Sequence, residues 1–157
     1  MPPRFRIFFK LSLACLFLVW SLVACSRPEG EEAALQARLE GLAMTVEERD
    51  ASDLTDFLAE DFSGPSGMTR ELAQAYARTM MGRYSELGVT WTVNSLEIQG
   101  DRARTQLNVV LTGKAMVPGF EGRGRLMIVD LGWRRDGNEW YLVNAQWRGA
   151  LERSAQR

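Results

Sequence analysis

The chain has 157 residues, of which 46% are hydrophobic and 25% are charged, and its formal net charge is −1. It contains no histidine and two cysteines, Cys15 and Cys25, so the commonest general acid–base and the commonest metal ligand are missing. These counts argue against a metal centre, and we expect no cofactor.

Residues 1–24 have the order of a secretory signal peptide. Arg4, Arg6 and Lys10 precede an apolar run over residues 11–24, as a basic n-region precedes an apolar h-region. The run is about 14 residues long, whereas a helix that spans a bilayer needs about 20. A signal for export also argues against a nucleic-acid partner.

The signal ends at residues 22–25 with Leu-Val-Ala-Cys, which resembles the lipobox of bacterial lipoproteins. The resemblance implies a diacylglycerol group on the Cys25 thiol, cleavage just before it, and a lipid-anchored protein in the bacterial cell envelope. An aspartate after the cysteine tends to retain such proteins at the inner membrane, so Ser26 favours the periplasmic face of the outer membrane. The alternative is an ordinary secretory signal with a chance cysteine.

The mature chain divides into a tether, a domain and a tail. Residues 25–32 are the lipidated cysteine and a short polar tether, residues 33–148 form one domain, and residues 149–157 form a polar tail. The lipobox resemblance implies that Cys15 leaves with the signal and that Cys25 carries the lipid. We therefore expect the fold to be stabilised by packing without a disulfide.

Three helices are predicted in the first half of the domain. The first covers about 31–49, where apolar residues recur at helical spacing. A second, shorter helix follows a cap at Ser52 or Asp53 and buries Leu54, Phe57 and Leu58. A break over residues 63–67 precedes a third helix, capped by Thr69 and running to about Tyr84. The stripe of the first helix consists of Leu35, Leu39, Leu42 and Val46.

After Gly88 the apolar period changes from 3.6 to 2, which predicts strands. Four strands are expected, over about 89–98, 102–112, 123–134 and 139–148. A change of phase at Ser95 indicates a β-bulge. Tight turns are predicted at Gly100-Asp101 and Asp136-Gly137, and residues 113–122 form a longer connection.

At this point the chain resembles the nuclear transport factor 2-like superfamily, also called SnoaL-like or ketosteroid isomerase-like. The residues that carry the resemblance lie at 46–54, 57–62, 96–103 and 140–147. The resemblance implies an α+β fold, in which three N-terminal helices pack in a strongly bent four-stranded antiparallel sheet. Such a domain is a cone with a pocket at its wide end. The superfamily includes isomerases, dehydratases, cyclases and binding modules without activity.

The inward-facing strand positions carry no acid. In this superfamily an isomerase-like site uses a carboxylate base with a tyrosine, and a dehydratase-like site uses a histidine. By parity Asp130 faces outward, although a register error of one residue would bring it in. We therefore predict a non-catalytic binding or assembly module. The alternative is a SnoaL-like enzyme acting on a hydrophobic periplasmic substrate, with Asp61, Tyr76 or Tyr84 supplied from the helices. The positions assigned inward are Val89, Trp91, Val93, Leu107, Val109, Leu111, Met127, Val129, Leu131, Trp133, Tyr141, Val143, Ala145 and Trp147.

Two sets of residues are candidates for binding. The first set would line an apolar cavity for a small apolar ligand, with Phe120 as a lid, and the alternative is that its members only fill the core. The second set lies on the outward sheet face by parity, where an apolar patch predicts a homodimer or another envelope protein as partner. The cavity set is Tyr76, Met80, Phe120, Trp133 and Trp147, and the interface set is Val110, Leu126, Ile128, Trp140 and Leu142.

Overall fold

The computed structural model describes residues 28–116 and 121–150. The signal, Cys25, Phe120 and most of the polar tail lie outside these residues. The described residues from Glu32 onward belong to one compact unit. The described residues form two α-helices, α1 (Pro28–Glu48) and α2 (Arg70–Met81). They also form five strands: β1 (Leu58–Ser63), β2 (Tyr84–Gln99), β3 (Arg102–Ala115), β4 (Glu121–Asp136) and β5 (Glu139–Gly149).

Helix α1 agrees with the predicted first helix but begins earlier. It starts at Pro28, inside the segment predicted as a tether, and proline is well suited to a first helical position because its missing N–H has no helical partner to lose. The helix ends in a left-handed turn at Arg49, with φ 61. There the amide of Arg49 donates to Val46 O and that of Asp50 donates to Thr45 O, both at 3.1 Å.

The predicted second helix is shorter than expected and is not an α-helix. Asp53–Phe57 is one short 3-10 helix, and the chain then extends as β1. Asp50 Oδ1 accepts the amides of Ser52 and Asp53 at 2.8 and 3.2 Å, so the chain turns instead of starting an α-helix. Strand β1 pairs in parallel with β5. The result is a mixed five-stranded sheet in the order β1-β5-β4-β3-β2, not the expected four-stranded antiparallel one.

Helix α2 begins as predicted and ends sooner. Thr69 is its N-cap, and the Thr69 hydroxyl accepts the amide of Leu72 at 3.4 Å. The helix stops at Met81, and Tyr84, expected at its end, is the first residue of β2. Its buried face consists of Ala73, Ala77 and Met81.

The hairpins β2–β3 and β4–β5 follow the predicted turns. Gly100 and Gly137 have positive φ, 63 and 59, which glycine adopts without steric cost. The register of β2 shifts between Val93 and Ser95, so the predicted bulge is confirmed. The α+β class is therefore confirmed, while the numbers of helices and strands are corrected.

A second bulge, on β5, reverses the predicted faces of residues 140–142, so Tyr141, assigned inward, lies on the outer face beside Arg134. Gly132 pairs with Asn144 but Trp133 pairs with Leu142, which leaves Val143 as the extra residue. Side chains before the bulge therefore change face. Trp140 and Leu142, predicted to point outward, are 1% and 2% exposed and belong to the main core cluster.

Candidate ligand-binding site

An apolar cavity of about 180 Å³, partly open to solvent, lies between α1 and one face of strands β2, β3 and β4, here called the inner face. Twelve described residues line it, and every one of them is apolar. Four come from α1 and eight from the strands. The lining residues are Leu39, Leu42, Ala43, Val46, Val89, Trp91, Leu107, Val109, Leu111, Met127, Val129 and Leu131.

The alternation of the strands places this wall on one face. Successive side chains of a strand point to opposite sides, so apolar residues at every second position share a face. The sheet register then brings the three strands together, because Val109 on β3 pairs with both Trp91 and Met127. Leu107 in turn pairs with Val129. The strand wall is therefore continuous across the sheet.

Helix α1 forms the roof, and side chains on both sides of its cavity-lining segment fix it to the sheet. Arg38 Nε donates to Trp140 O at 3.0 Å, and its Nη2 donates to Asp56 O at 2.7 Å. Nine residues later, Glu47 Oε1 accepts the backbone amide of Val89 at 2.8 Å. Residues 39–46 lie between these two attachments.

Trp133, predicted to line the ligand cavity, lies in the packed core instead. Its side chain is 1% exposed, and it is absent from the cavity wall. The indole nitrogen donates to Thr105 Oγ1 at 3.0 Å. Trp133 therefore fills the core, which was the alternative interpretation of the inward aromatic residues.

Tyr76 and Trp147, two other predicted cavity residues, meet beside the wall. Their rings stack with centroids 6.3 Å apart and an angle of 26° between planes. They are 45% and 38% exposed, so the pair lies at the surface. Trp147 is the cross-strand partner of the wall residue Val129. Met80 is half-buried on α2, and Phe120 lies outside the described residues.

The α1 residues of the wall were not predicted as ligand contacts. Leu39, Leu42 and Val46 belong to the apolar stripe that predicted the helix, and the stripe was interpreted as core. The sequence signal for a cavity was present only as Ala43, a small residue on the same side of α1. Whether space remains beneath a small residue depends on how the sheet packs.

Asp130 and Asp61, the two carboxylates considered as catalytic groups from the sequence, bind other side chains and do not line the cavity. Asp130 accepts from Gln106 Nε2 at 2.6 Å and from Arg148 Nη1 at 2.7 Å, on the face opposite the cavity. Asp61 accepts two hydrogen bonds from Arg134, at 2.7 and 2.8 Å. The bonded Arg134 guanidinium holds the pKa of Asp61 below its ordinary value. Within the described part of the chain, no ionisable side chain lines the cavity.

The outer sheet face is more polar than predicted. With Trp140 and Leu142 buried in the core, the expected patch is reduced to half-buried Val110, exposed Leu126 and buried Ile128. Polar pairs occupy the same face. Gln106 donates to Asp130, and Asn108 Nδ2 donates a hydrogen bond to Asn94 Oδ1 at 2.7 Å.

A second groove, of about 430 Å³, lies where α1 ends and α2 ends. Its lining mixes acids and bases, among them Glu48, Asp50, Arg49 and Arg78. Across residues 28–116 and 121–150 there is no group of three or more potential metal-ligating acids, cysteines or histidines. Over the same residues, no helix has the length and apolar character needed to cross a bilayer.

Solved structures share this arrangement of helices and strands. A protein assigned as a dehydratase of the NTF2-like family from Streptomyces avermitilis superposes with a TM-score of 0.69 at 14% identity, over 78% of this chain and 99% of that one. One assigned as a scytalone dehydratase from Novosphingobium aromaticivorans gives 0.68 at 11% identity, over 76% and 84%. A hexachlorocyclohexane dehydrochlorinase from Novosphingobium barchaimii gives 0.66 at 17% identity, over 77% and 87%.

These similarities define the class of fold. The domain has the NTF2-like fold, as the sequence resemblance implied. No family model matches the chain, and no curated protein matches it. Since the sequence identities are below 20%, the structural similarity extends to the fold and not to an activity.

Proposed function

We propose that this chain is an envelope lipoprotein, held at the membrane through lipid on Cys25, whose NTF2-like domain is a non-catalytic module that binds a small apolar ligand. The observation that carries the proposal is the cavity under α1. Its twelve described lining residues offer apolar surface and no acid, base or nucleophile. Such a site can bind by excluding water but has no group there to transfer a proton.

The size of the cavity supports binding. Protein interiors are normally close-packed, whereas this space of about 180 Å³ leaves the apolar side chains around it without packing partners on one side. An apolar molecule that fills the space restores the lost contacts, so it binds without needing a polar anchor.

The anchor is tested by metabolic labelling with an alkynyl fatty acid, followed by detection on the purified protein. Wild type should be labelled and recovered with membranes. Cys25→Ser should lose the label, because the thiol is the acceptor. Cys15→Ser is the matched control, since it removes the other cysteine and should leave labelling intact. Label that persists in Cys25→Ser contradicts a lipid on this residue.

A SnoaL-like enzyme is the second candidate, and the dehydratase and dehydrochlorinase assignments of the structural neighbours favour it. The absence of histidine from the sequence argues against a dehydratase-like site. A carboxylate close to the wall is that of Glu47, which accepts the Val89 amide. The enzyme candidate predicts turnover that is lost in Glu47→Gln and kept in Glu48→Gln.

A protein partner at the outer sheet face is not part of the proposed function. Three of the five predicted interface residues remain on that face, and polar pairs surround them. A sheet face of this composition is suited to solvent. The proposal therefore depends on the anchor and the cavity.

A further inference from the structure

We infer that the free edge of strand β2 pairs with the β2 strand of a second copy of this chain. The two strands run antiparallel about a two-fold axis at Trp91, and they join the two sheets into one. This pairing is independent of the cavity and goes beyond the proposed function. Three features carry it: an unpaired strand edge, the absence of protection along that edge, and a palindromic sequence there.

Strand β2 lies at the end of the sheet, so one side of its backbone has no strand beside it. Among the described residues its only sheet neighbour is β3. Val89 shows which backbone groups point away from β3, because its amide donates to Glu47 Oε1 at 2.8 Å. Backbone groups alternate in direction along an antiparallel strand. Those of Trp91 and Val93 therefore point to the free side as well.

The other edge of the sheet is protected against pairing, whereas this edge is not. Strand β1 has six residues and carries Glu60 and Asp61. Strand β2 has 16 residues, and its residues 87–95 include no charged side chain and no proline. Short strands, charges and prolines are the usual means by which proteins prevent edges from pairing. The long uncharged run on β2 is therefore suited to accept another strand.

The sequence at this edge fits a second copy of the chain. Residues 89–93 are Val-Thr-Trp-Thr-Val, which reads the same in both directions. A two-fold axis at Trp91 places this residue opposite its own copy. It also places Val89 opposite the partner's Val93 and Thr90 opposite the partner's Thr92. Aromatic pairs and threonine pairs across strands are stabilising, and β-branched side chains suit a pleated surface.

Pairing covers apolar surface that is exposed in a single copy. Val93 is 43% exposed, although it lies on the same side of β2 as Trp91. In the pair, the partner's Val89 covers it. The Val89 amide exchanges the exposed carboxylate of Glu47 for the carbonyl of the partner's Val93, so this donor remains satisfied.

The pair is closed and does not extend into a fibre. The register of β2 shifts between Val93 and Ser95, and this bulge ends the run that can pair. Under two-fold symmetry both copies use the same edge, which leaves no second edge of this kind for a third copy. We therefore expect a dimer.

The first test is co-purification of two differently tagged full-length chains from membranes of the same cells. Wild type should co-purify with wild type. Thr90→Lys/Thr92→Lys and Thr90→Glu/Thr92→Glu should each lose self-association at least about tenfold, or 1.4 kcal/mol, because like charges then face each other. The two variants expressed together should associate, because opposite charges face each other. Ala37→Lys/Gln146→Lys is the matched control, since it adds two charges at exposed positions away from the edge and should co-purify as wild type does.

Disulfide crosslinking in membranes tests the register of the pair. Thr90→Cys on one chain and Thr92→Cys on the other should crosslink under mild oxidation. Directly opposite residues of this kind have Cα atoms about 4.5 Å apart, which is within the span of a disulfide. Thr90→Cys on both chains should crosslink little, because diagonal positions are too far apart. Wild type, which retains Cys15 and Cys25, gives the background.

The inference is overturned if wild type does not co-purify, or if Thr90→Lys/Thr92→Lys associates with itself as wild type does. Failure of the oppositely charged variants to associate overturns it as well. Loss of association in Ala37→Lys/Gln146→Lys would assign the contact to another surface. Equal crosslinking of the opposite and diagonal cysteines would contradict the axis at Trp91. None of these outcomes depends on the lipid at Cys25 or on ligand binding, so failure of the pairing is distinguishable from failure of the proposed function.

Discussion

The indole nitrogen of Trp133 donates a hydrogen bond to the hydroxyl of Thr105, at 3.0 Å, in the buried core. Both side chains lie on the inner face, and Leu35 of α1 belongs to the same core cluster as Trp133. This end of the inner face is therefore closed by packing. The space that remains lies farther along α1, over residues 39–46.

Thr105→Val should destabilise the fold by about 1–3 kcal/mol, because it leaves a buried indole N–H without its partner while the shape of the side chain is kept. Urea unfolding followed by circular dichroism measures the change. Thr92→Val makes the same substitution at an exposed position of β2 and should have little effect. Equal losses in the two variants would contradict the role of the Trp133 bond.

Trp140→Ala should cost about 3–5 kcal/mol, the usual range for a large aromatic residue removed from a core. Trp147→Ala should cost clearly less, since Trp147 is partly exposed and stacks on Tyr76 at the surface. The comparison, made by urea unfolding, tests the bulge on β5. Without the bulge the parity of the strand would place Trp140 on the outer face, and its loss would then be no larger than that of Trp147.

The pair of Asp61 and Arg134 predicts a dependence of stability on acid. Arg134 lowers the folded-state pKa of Asp61 below 3.8, so the folded protein keeps this carboxylate charged at a pH where the unfolded chain has begun to protonate it. The stabilisation is thus fully present above the ordinary pKa and is lost as the pH falls through the lowered value. Because the pair is exposed, the effect should be small and should shrink with salt.

Asp61→Asn should flatten the fall in stability below pH 3.8, and Arg134→Gln should do the same because either change removes the pair. Urea unfolding across a pH series at low and high salt provides the measurement. If the free energy of unfolding falls with decreasing pH as steeply in Asp61→Asn as in wild type, the pair does not govern the loss of stability in acid.

Features with local signals could be predicted from the sequence. The N-cap at Thr69, the turns at Gly100 and Gly137 and the bulge at Ser95 each depend on a few neighbouring residues. The periodicity of α1 is a local signal as well. By contrast, β1 is a six-residue edge strand whose parallel pairing with β5 is made by residues far away in the chain, and its burial does not alternate.

One feature of the sequence indicates the bulge that turns Trp140 and Leu142 inward. Gly132 is an isolated glycine within a strand pattern, which is typical of a bulge or a close backbone approach. It lies at the register shift, opposite Asn144, and a Cβ added there would lie 3.4 Å from the Asn144 Cβ. Parity across a strand is reliable only between bulges, so the assignment of Ala145 was correct and that of Trp140 was not.

The cavity was predictable in its character but not in its position. The inward strand residues were correctly identified as apolar, which favoured an apolar site. Its location depends on the distance between α1 and the sheet, and thus on the contacts of Arg38 and Glu47 with backbone atoms of distant strands. The pattern of apolar residues in the sequence does not determine the distance between α1 and the sheet.

Thermal unfolding of wild type and Ala43→Leu, with and without toluene, tests the central claim most directly. A ligand that binds only the folded state raises its stability, so toluene should raise the Tm of wild type. Ala43→Leu should raise the Tm without ligand, because it fills empty space, and toluene should then add little. If toluene leaves the wild-type Tm unchanged while Ala43→Leu lowers it, no ligand-sized apolar cavity exists under α1.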